Sequence, residues 1–377
     1  MNILELNDHE LNLYDQAGTL IRSEPAAAAF IDDALIFGEP ALALSRVSPQ
    51  TFNNRYLGHA AAQPLPSPIG PAHNFADLVY QHLRTYELQN KDLTILAPAY
   101  FTNEQLGLVL GICQELEINV CGFIDLGLAQ MLSKAPGSSF TLIDLEWHRM
   151  TATHFSTQSG KLTVTGNRVW EGRGYNHYVE GWMGVIADEF IHRTRFDPLH
   201  TGDTEQQLFD QTAAWLQEGL ATRIVVVSNG DERELEIEMQ RLADKTRQRL
   251  EGLDLDPNQP LLLSDRVIRV PGLEPRLSEL HGNVSRANSA ESIRVHLPTL
   301  CAELPADKIT RLSTSTTRAS PIQPTTVQSH ASLATHLLDK DNVAHPMQAF
   351  GDAVQESLKP GDSIDLAGET YQAVRVL

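Results

Sequence analysis

Few residues in this chain have a type and spacing that suit catalysis or metal binding. His148 and His154 lie six positions apart on a predicted hairpin, and because a metal site needs more than two ligands, solvated or site-lining histidines are expected. Residues 171–174 (EGRG) follow a predicted strand but lack the third glycine of a dinucleotide-binding loop, which favours a simple turn. The sequence contains no G-x-S-x-G motif and no cysteine–histidine pattern typical of a nucleophile.

Composition excludes several classes of function. The chain has 377 residues and a formal net charge of −19, which argues against sequence-independent nucleic-acid binding because that needs clustered Lys and Arg. Three cysteines are too few for a disulfide framework. The N-terminal residues show no signal peptide, and no apolar run approaches the roughly 18 residues of a membrane helix. We therefore expect a cytoplasmic protein without membrane insertion.

Apolar periodicity predicts an α/β protein. Asn74 is a plausible N-cap, and Thr102 with Gln105 predicts a capping box. Residues 2–13 suit two short strands joined at 7–9. Further predicted strands are 34–37, 93–97, 122–124, 140–144, 161–169, 223–228 and 261–263, and predicted helices are 104–117, 178–192, 205–221, 232–250 and 273–280. This length and alternation allow two lobes with separate cores.

The C-terminal part has a different composition. Residues 312–332 are rich in Ser, Thr, Pro and Gln, which predicts a linker spanning about 306–335. A small tail over 336–377 is expected to contain a helix near 347–358 and a β-hairpin formed by 363–366 and 370–376. Because an isolated hairpin is marginally stable, we expect the tail to dock on its own chain or on a partner.

Several segments, taken in order, carry a resemblance to a known family. Residues 93–132 contain a buried strand ending in Pro-Ala-Tyr-Phe at 98–101, residues 54–58 read NRYLG, and residues 270–271 read VP before a helix. The order and spacing of these segments over 1–305 resemble the ATPase domain of DnaK-type heat-shock chaperones, in the actin-like superfamily. The resemblance implies two ribonuclease-H-like lobes, at 1–137 and 138–305, with Mg-ATP between them.

The loops that hold phosphate in this family are altered here. The family's D-L-G-T-T loop corresponds to residues 5–9 (ELNDH), so that Asn7 replaces a glycine and Asp8 replaces a threonine. The D-L-G-G-G-T loop corresponds to 144–149 (DLEWHR), in which all three glycines are lost. Only glycine lets the backbone N–H groups approach phosphate so closely, and the altered loops therefore predict loss of the phosphate site.

The other functional positions of the family have also changed. The two glycines of the adenosine motif correspond to Asp265 and Arg266, and the L-G-G of the second lobe corresponds to 173–175 (RGY). The family's catalytic Lys and Glu correspond to Asn54 and Leu126. The resulting candidate binding residues, all at degenerate cleft positions, are Glu5, Asn7, Asp8, Asp144, Glu146, Arg149, Gly174, Asp265 and Arg266.

The resemblance leaves two readings of this cleft. Glu5 and Asp144 could form a metal-binding pair, or their carboxylates could be held by backbone N–H groups or nearby arginines. A carboxylate about 4 Å from a phosphate costs roughly 4 kcal/mol at an effective dielectric of about 20, whereas a micromolar site is worth only about 8 kcal/mol. No cofactor is therefore expected, unless the loops rearrange to accept ATP and Mg. Bulky side chains are expected to fill the cleft, namely Trp147, His148, Asp265 and Arg266.

The sequence favours a catalytically degenerate pseudo-ATPase that acts as a scaffold or regulator and binds another protein, with the tail as a candidate contact. One alternative is an ATP-binding, chaperone-like ATPase with divergent phosphate loops. Another is a cleft that takes a small anionic ligand held by arginines, with Arg149, Arg173 and Arg266 as candidates. The aromatic residues clustered around 147–182 suit either a ligand or partner surface or the filling of a core.

Overall fold

The computed structural model places this chain in two compact units. They comprise Met1–Pro321 and Ile322–Leu377. The residues described are 1–60, 62–133, 135–218, 223–250 and 252–315, together with the strands 336–338, 344–346, 363–366 and 369–374. The first unit is an α/β fold built around two mixed sheets.

The first sheet is formed mostly by the N-terminal third of the chain. The strands of this region are β1 (Asn2–Glu5), β2 (Leu11–Tyr14), β3 (Leu20–Glu24), β4 (Ala28–Ile31), β5 (Ala34–Phe37), β6 (Phe52–Asn53), β7 (Pro64–Ile69), β8 (Ala72–Asn74), β9 (Asp92–Ala97) and β10 (Asn119–Asp125). Its helices are α1 (Glu39–Leu42), α2 (Tyr56–His59), α3 (Phe75–Arg84), α4 (Asn103–Glu115) and α5 (Leu126–Met131). The predicted capping boxes are present at Asn74, which begins α3, and at Thr102, which begins α4.

The second sheet is formed mostly by residues 139–286 of the first unit. Its region contains β11 (Ser139–Leu145), β12 (Arg149–Gln158), β13 (Lys161–Glu171), β14 (Arg223–Ser228), β15 (Asp231–Glu236), β16 (Leu261–Leu263), β17 (Val284–Arg286), β18 (Arg311–Leu312) and β19 (Thr314–Ser315). The helices are α6 (Tyr175–Thr194), α7 (Gly202–Glu218), α8 (Met239–Arg249), α9 (Asp265–Arg269), α10 (Leu273–Leu280) and α11 (Ser289–Ala302). The predicted lobe boundary at 137–138 falls between α5 and β11.

The two large sheets repeat one strand plan. Their orders are β18-β10-β9-β1-β2-β3 and β17-β16-β11-β12-β13-β19. In each, three antiparallel strands are followed by two strands parallel to the first, with Leu4 beside Ile95 in one sheet and Ile143 beside Leu263 in the other. The sixth strands differ, because β18 adds a third parallel strand to the first sheet and β19 pairs antiparallel with β13 in the second. Glu5 ends β1 and Asp144 lies one residue before the end of β11, so the plan gives the two acids equivalent positions.

One apolar core cluster joins the two sheets. Residues 93–97 of β9 and all three residues of β16 are buried, as expected for parallel strands covered on both faces. One core cluster includes Ile3 and Leu96 from the first sheet together with Phe140 and Phe155 from the second. The sheets are therefore packed around shared hydrophobic contacts.

One predicted helix is partly wrong. The expected helix 232–250 begins only at Met239, and Asp231–Glu236 instead forms strand β15, paired antiparallel with β14. Asn229 and Gly230 connect the two strands with φ values of 53° and 84°. An Asn-Gly pair with positive φ is the typical two-residue hairpin turn, and it overrides the weak helical periodicity of the charged residues that follow.

The beginning of the predicted linker is also structured. Arg311–Leu312 pairs in parallel with β10 of the first sheet, and Thr314–Ser315 pairs antiparallel with β13 of the second. Residues 311–315, which we call the strap, therefore connect the edges of both sheets through Ser313. In these residues, backbone hydrogen bonds to the two sheets stabilise a strand conformation despite the polar composition that favoured a linker. The rest of the predicted linker, residues 316–335, lies outside the described residues.

In the second unit, the described strands form a four-stranded antiparallel sheet. They are β20 (His336–Leu338), β21 (Ala344–Pro346), β22 (Ser363–Leu366) and β23 (Glu369–Val374), in the order β21-β20-β23-β22. The predicted hairpin corresponds to β22 and β23, and two further strands extend it. The helix expected near 347–358 lies outside the described residues.

Candidate functional site

A buried arginine joins the acidic ends of the two sheets. Arg266 lies in α9, which follows β16 and begins after the N-cap Ser264. Its Nη1 donates to Glu5 Oε1 at 2.8 Å, its Nη2 to Asp144 Oδ2 at 2.7 Å and its Nε to Asp144 Oδ1 at 3.1 Å. Arg266 is only 7% exposed. The structure thus brings together three predicted site residues, in the arrangement where an arginine satisfies both carboxylates.

Neutral groups complete the coordination of the two carboxylates. Glu5 Oε2 accepts hydrogen bonds from Tyr14 OH at 2.8 Å and from Asn12 Nδ2 at 3.1 Å. Asp144 accepts from Ser264 Oγ at 2.6 Å and from Gln130 Nε2 at 2.9 Å. Burial alone would raise the pKa of Asp144, but the Arg266 charge and these hydrogen bonds outweigh burial and lower the pKa below its usual range.

This arrangement does not fit a metal ion between the two acids. The guanidinium lies where a cation bridging Glu5 and Asp144 would have to lie, and it already carries the compensating charge. In the part of the chain that the structure describes, no group of three His, Cys, Asp or Glu residues could hold a metal ion. His154, one of the two candidate histidines, instead pairs its Nδ1 with Thr141 Oγ1 at 2.9 Å.

The second predicted cluster surrounds Asp8 and Glu146. Asp8 Oδ1 accepts the backbone N–H of Trp147 at 2.5 Å, and Asp8 Oδ2 is buried with no hydrogen-bond partner among the described residues. Tyr100 OH donates to Glu146 Oε2 at 2.6 Å. Arg149 Nε lies 3.8 Å from Glu146 Oε2, and its Cζ is 4.8 Å from the ring centroid of Tyr100.

Burial controls the ionisation of this second cluster. It raises the pKa of Asp8 to about 6, against the opposing effects of Arg149 and of the Trp147 N–H. Burial also raises the pKa of Glu146 well above its usual value, and the neighbouring Asp8 charge adds to the increase. Two acids whose charges disfavour each other are a poor environment for a phosphate group.

The first loop satisfies its own backbone donors. Asn7, which the resemblance aligns with a glycine, accepts the N–H groups of His9 at 2.9 Å and Glu10 at 3.4 Å through Oδ1. Its Nδ2 donates to Leu145 O at 3.3 Å in the second loop. Donors that an anion would use are therefore occupied by a side chain of the same loop.

Gly174 brings the N-terminus of α6 against the second loop. A Cβ at this position would lie 2.3 Å from the Arg149 backbone nitrogen and 2.5 Å from Trp147 O. The close approach lets the N–H groups of Tyr175 and Asn176 donate to the carbonyls of Glu146 and Trp147, at 2.8 and 3.0 Å. The helix end is thus capped by backbone, which leaves these donors unavailable to an anion.

The remaining predicted residues divide between the cleft and other sites. Trp147 and His148 are buried, and His148 Nε2 lies 2.9 Å from Asn54 Oδ1. Asp265 is not part of this cluster: its Oδ2 accepts the Ala290 N–H at 2.7 Å and so caps the start of α11. Arg173 donates to Arg249 O at 2.6 Å, away from Asp8 and Glu146.

Sequence analysis missed several partners that complete the site. These are Asn12, Tyr14, Tyr100, Gln130 and Ser264. Asn12 and Tyr14 alternate on one face of β2, and Glu5 pairs directly with Asn12 in the hairpin. The register of the predicted hairpin could therefore have identified these two, whereas the other three come from distant segments.

A comparison with protein-family models found no match, and a comparison with curated proteins found none either. The structure gives one further general property. Across the residues it describes, none of the helices combines the length and the apolar character needed to cross a bilayer.

Proposed function

We propose that this chain is a two-lobed domain of the actin and DnaK type whose nucleotide site is closed, and that it acts as a protein-binding scaffold without ATP hydrolysis. The fold assignment is supported by the strand plan shared by the two sheets and by the equivalent positions of Glu5 and Asp144. The functional assignment is carried by one observation, the ion pairs of Arg266 with both of these acids.

The energetics of the arginine support a closed site. Removing one member of a buried ion pair typically costs about 3–5 kcal/mol, because an uncompensated charge is left behind. A ligand binding with micromolar affinity contributes only about 8 kcal/mol. Mg-ATP would have to displace Arg266 and also bind beside Asp8 and Glu146, so that most of its binding free energy would be lost.

The alternative of an active ATPase with divergent loops has less support. The N–H groups of the first loop are bonded to Asn7, and those at the start of α6 are bonded to the second loop. Asn54, which stands where the resemblance places a catalytic lysine, instead pairs with His148. Phosphate binding would require all three sets of contacts to break.

The alternative of a small anionic ligand is not favoured by the arginines. Arg266 is paired with Glu5 and Asp144, and Arg149 lies 3.3 Å from Glu171 Oε1 and 3.8 Å from Glu146 Oε2. Arg173 donates to a backbone carbonyl of α8. The three arginines that were expected to attract an anion therefore already contact carboxylates or a carbonyl of the protein itself.

The second unit supports a role in binding another protein. The edge strands of its sheet are β21 and β22. Within the described residues, neither has a partner strand on its outer side. Exposed edge strands are sites where an extended segment of a partner adds to a sheet. This unit is therefore our candidate for the partner contact of the scaffold.

The proposal is tested with nucleotide and with partners separately. Isothermal titration of the full chain with ATP and Mg²⁺ should detect no binding in the micromolar range, and steady-state phosphate release should equal that of a heat-denatured sample. Turnover that disappears in Asp144→Ala would contradict the pseudo-ATPase assignment.

The scaffold assignment needs a second measurement. Proteins that co-purify quantitatively with the full chain should be lost with a version ending at 321, provided that the melting temperature of the shortened chain is unchanged. Retention of every partner by the shortened chain would remove the proposed role of the second unit.

A further inference from the structure

A pocket of about 380 Å³ lies next to the two altered loops. This volume is within the range of about 300–1,000 Å³ found for small-molecule sites. Its wall contains four buried rings, which are those of His9, Trp147, Tyr175 and Phe209. Ring centroids are 4.1 Å apart for His9 and Tyr175 and 5.6 Å apart for Trp147 and Tyr175. The rings therefore form a continuous aromatic surface.

Four acidic side chains also line this pocket, which we call the acidic pocket. They are Glu10, Glu24, Glu39 and Asp210, and no Lys or Arg lines the pocket among the described residues. Glu10 is paired with Arg269, and Glu24 with Arg22. Glu39 and Asp210 make no ion pair within the described part of the chain, and Asp210 accepts a hydrogen bond from Gln206 Nε2 at 2.7 Å.

The charge of Asp210 acts on Glu39, the other unpaired acid. Glu39 is exposed at one edge, but nearby protein atoms partly remove it from water, and this together with Asp210 and Glu24 raises its pKa. Partial burial likewise raises the pKa of Asp210. A positive group placed between these carboxylates would relieve both their repulsion and the loss of hydration.

Two further polar groups lie buried at the aromatic surface. Among the described residues Trp147 Nε1 and His9 Nδ1 have no hydrogen-bond partner, although His9 Nδ1 lies 4.0 Å from Glu10 Oε1, and the two residues are only 4% and 8% exposed. Burial lowers the pKa of His9 to about 4, so its ring is neutral at pH 7 and adds no positive charge to the pocket. The aromatic surface therefore stays electrically neutral and available to a cation.

We propose that the acidic pocket binds an organic cation, in which an ammonium or guanidinium group on an alkyl chain lies between Glu39 and Asp210 and against the Trp147, Tyr175 and Phe209 rings. Aromatic faces attract cations through their quadrupole, and the attraction strengthens where water is excluded. One of these rings already makes such a contact: Arg46, which does not line the pocket, has its Cζ 4.8 Å from the Phe209 centroid.

This ligand class distinguishes the pocket from a nucleotide site. Phosphate groups would be placed beside four carboxylates, and like charges at such distances repel. A bare metal ion would gain little from the aromatic surface, whereas an alkyl ammonium or alkyl guanidinium uses both the charge and the rings. The cation could belong to a free polyamine or to an arginine side chain of a partner protein, and the test separates these sources.

The test uses calorimetric titration of the full chain at pH 7.5 and low salt. The probes are N-acetyl-arginine methylamide, its uncharged citrulline counterpart, and spermidine. We expect saturable binding of at least one cationic probe and none of the citrulline compound, which has nearly the same shape. Binding only by blocked arginine identifies a peptide source, and binding only by spermidine identifies a polyamine source. Binding of both supports recognition of the cation alone.

A double variant locates the binding. Glu39→Gln with Asp210→Asn should weaken binding of the cation roughly tenfold or more, because charge-assisted contacts are lost on both sides. The matched control is Glu115→Gln with Asp188→Asn, which removes the same charge from exposed helix positions outside the pocket. Binding of the citrulline compound, absence of binding by both cations, or equal losses in the two double variants would overturn the proposal. None of these outcomes depends on whether ATP is hydrolysed.

Discussion

Arg266 contacts both oxygens of Asp144, with Nε 3.1 Å from Oδ1 and Nη2 2.7 Å from Oδ2. This two-point geometry is the strongest arrangement available to an arginine and a carboxylate. The third guanidinium nitrogen contacts Glu5 on the other sheet. A single side chain therefore couples the ends of β1 and β11, so Arg266 forms a structural link between the two sheets.

Replacing Arg266 by Met should strongly destabilise the protein. The change leaves Glu5 and Asp144 buried without a cation, and we expect the free energy of unfolding to fall by about 3–5 kcal/mol. Urea denaturation followed by circular dichroism measures the change. Arg223→Met is the control, because Arg223 forms an exposed pair with Glu234 and its loss should cost about 1 kcal/mol or less.

A second substitution distinguishes charge from packing at the same place. Adding Asp144→Asn to Arg266→Met removes one of the two uncompensated charges, and stability should partly recover. If the double variant is no more stable than Arg266→Met alone, the loss arises from packing, and the electrostatic account of this link is incorrect.

Asp8 should make the stability of the protein depend on pH. Burial raises its folded-state pKa from 3.8 to about 6, so the folded state holds the proton more tightly than the unfolded state does. The stability contributed by the protonated form is therefore present below about pH 4 and is lost as the pH rises through about 6. A shift of this size corresponds to at most about 3 kcal/mol.

The Asp8 contribution is measured as a difference. His9 has a folded-state pKa lowered to about 4, and its linkage has the opposite sign, since it adds stability as the pH rises. The native chain and Asp8→Asn both contain His9. The difference between their free energies of unfolding, measured by denaturation between pH 4 and 7.5, therefore isolates the contribution of Asp8. We expect Asp8→Asn to gain stability relative to the native chain as pH rises. A constant difference would show that Asp8 keeps a normal pKa.

Much of the fold could be predicted from periodicity. Strand Leu261–Leu263 and helix Leu273–Leu280 have the expected bounds, since their apolar spacing matches their burial. The part of 232–250 that was wrong contains mostly charged residues, and a single buried Leu235 could not reveal the strand. There, the Asn-Gly turn was more informative than the spacing.

The site could be predicted only in part. Glu5 and Asp144 were identified as acids that an arginine could satisfy, but the sequence did not determine which arginine. Arg266 is separated from its partners by 261 and 122 residues, and only the packing of α9 against β11 and β16 brings it to them. Asp265, its neighbour, faces α11 because adjacent residues of a helix point in different directions.

Gly174→Ala should be far more harmful than an alanine elsewhere in the same helix. The added Cβ would lie 2.3 Å from the Arg149 nitrogen, so the contact between α6 and the second loop must open. We expect a loss of at least about 3 kcal/mol, comparable to severe overpacking. Gly184→Ala is the control: its Cβ would meet no atom of the described residues within 4 Å, and the change should stabilise the helix by about 1 kcal/mol. Similar melting temperatures for the two variants would contradict the close approach.

Arg311 should control whether the strap stays paired with both sheets. Its Nε donates to Asp125 Oδ1 at 2.6 Å, and its other nitrogens donate to Phe101 O at 2.7 Å and Pro98 O at 3.0 Å. These contacts hold the strap at the place where the Phe123 N–H donates to Thr310 O and the Val164 N–H donates to Ser313 O. Arg311→Met removes all three side-chain bonds and leaves Asp125 buried without its cation.

Hydrogen exchange read residue by residue tests this role of Arg311. In Arg311→Met, the amides of Phe123 and Val164 should exchange at least about tenfold faster, because local opening of the strap becomes easier by more than about 1.4 kcal/mol. Amides between β11 and β12, whose backbone hydrogen bonds join those two strands to each other and not to the strap, serve as the internal control and should keep their protection. Faster exchange at Phe123 alone would mean that the two strands of the strap open independently, whereas equal acceleration everywhere would mean that Arg311 only contributes to global stability. Joint and selective acceleration of both amides is expected, because only Ser313 separates β18 from β19 and the release of one strand removes the support of the other.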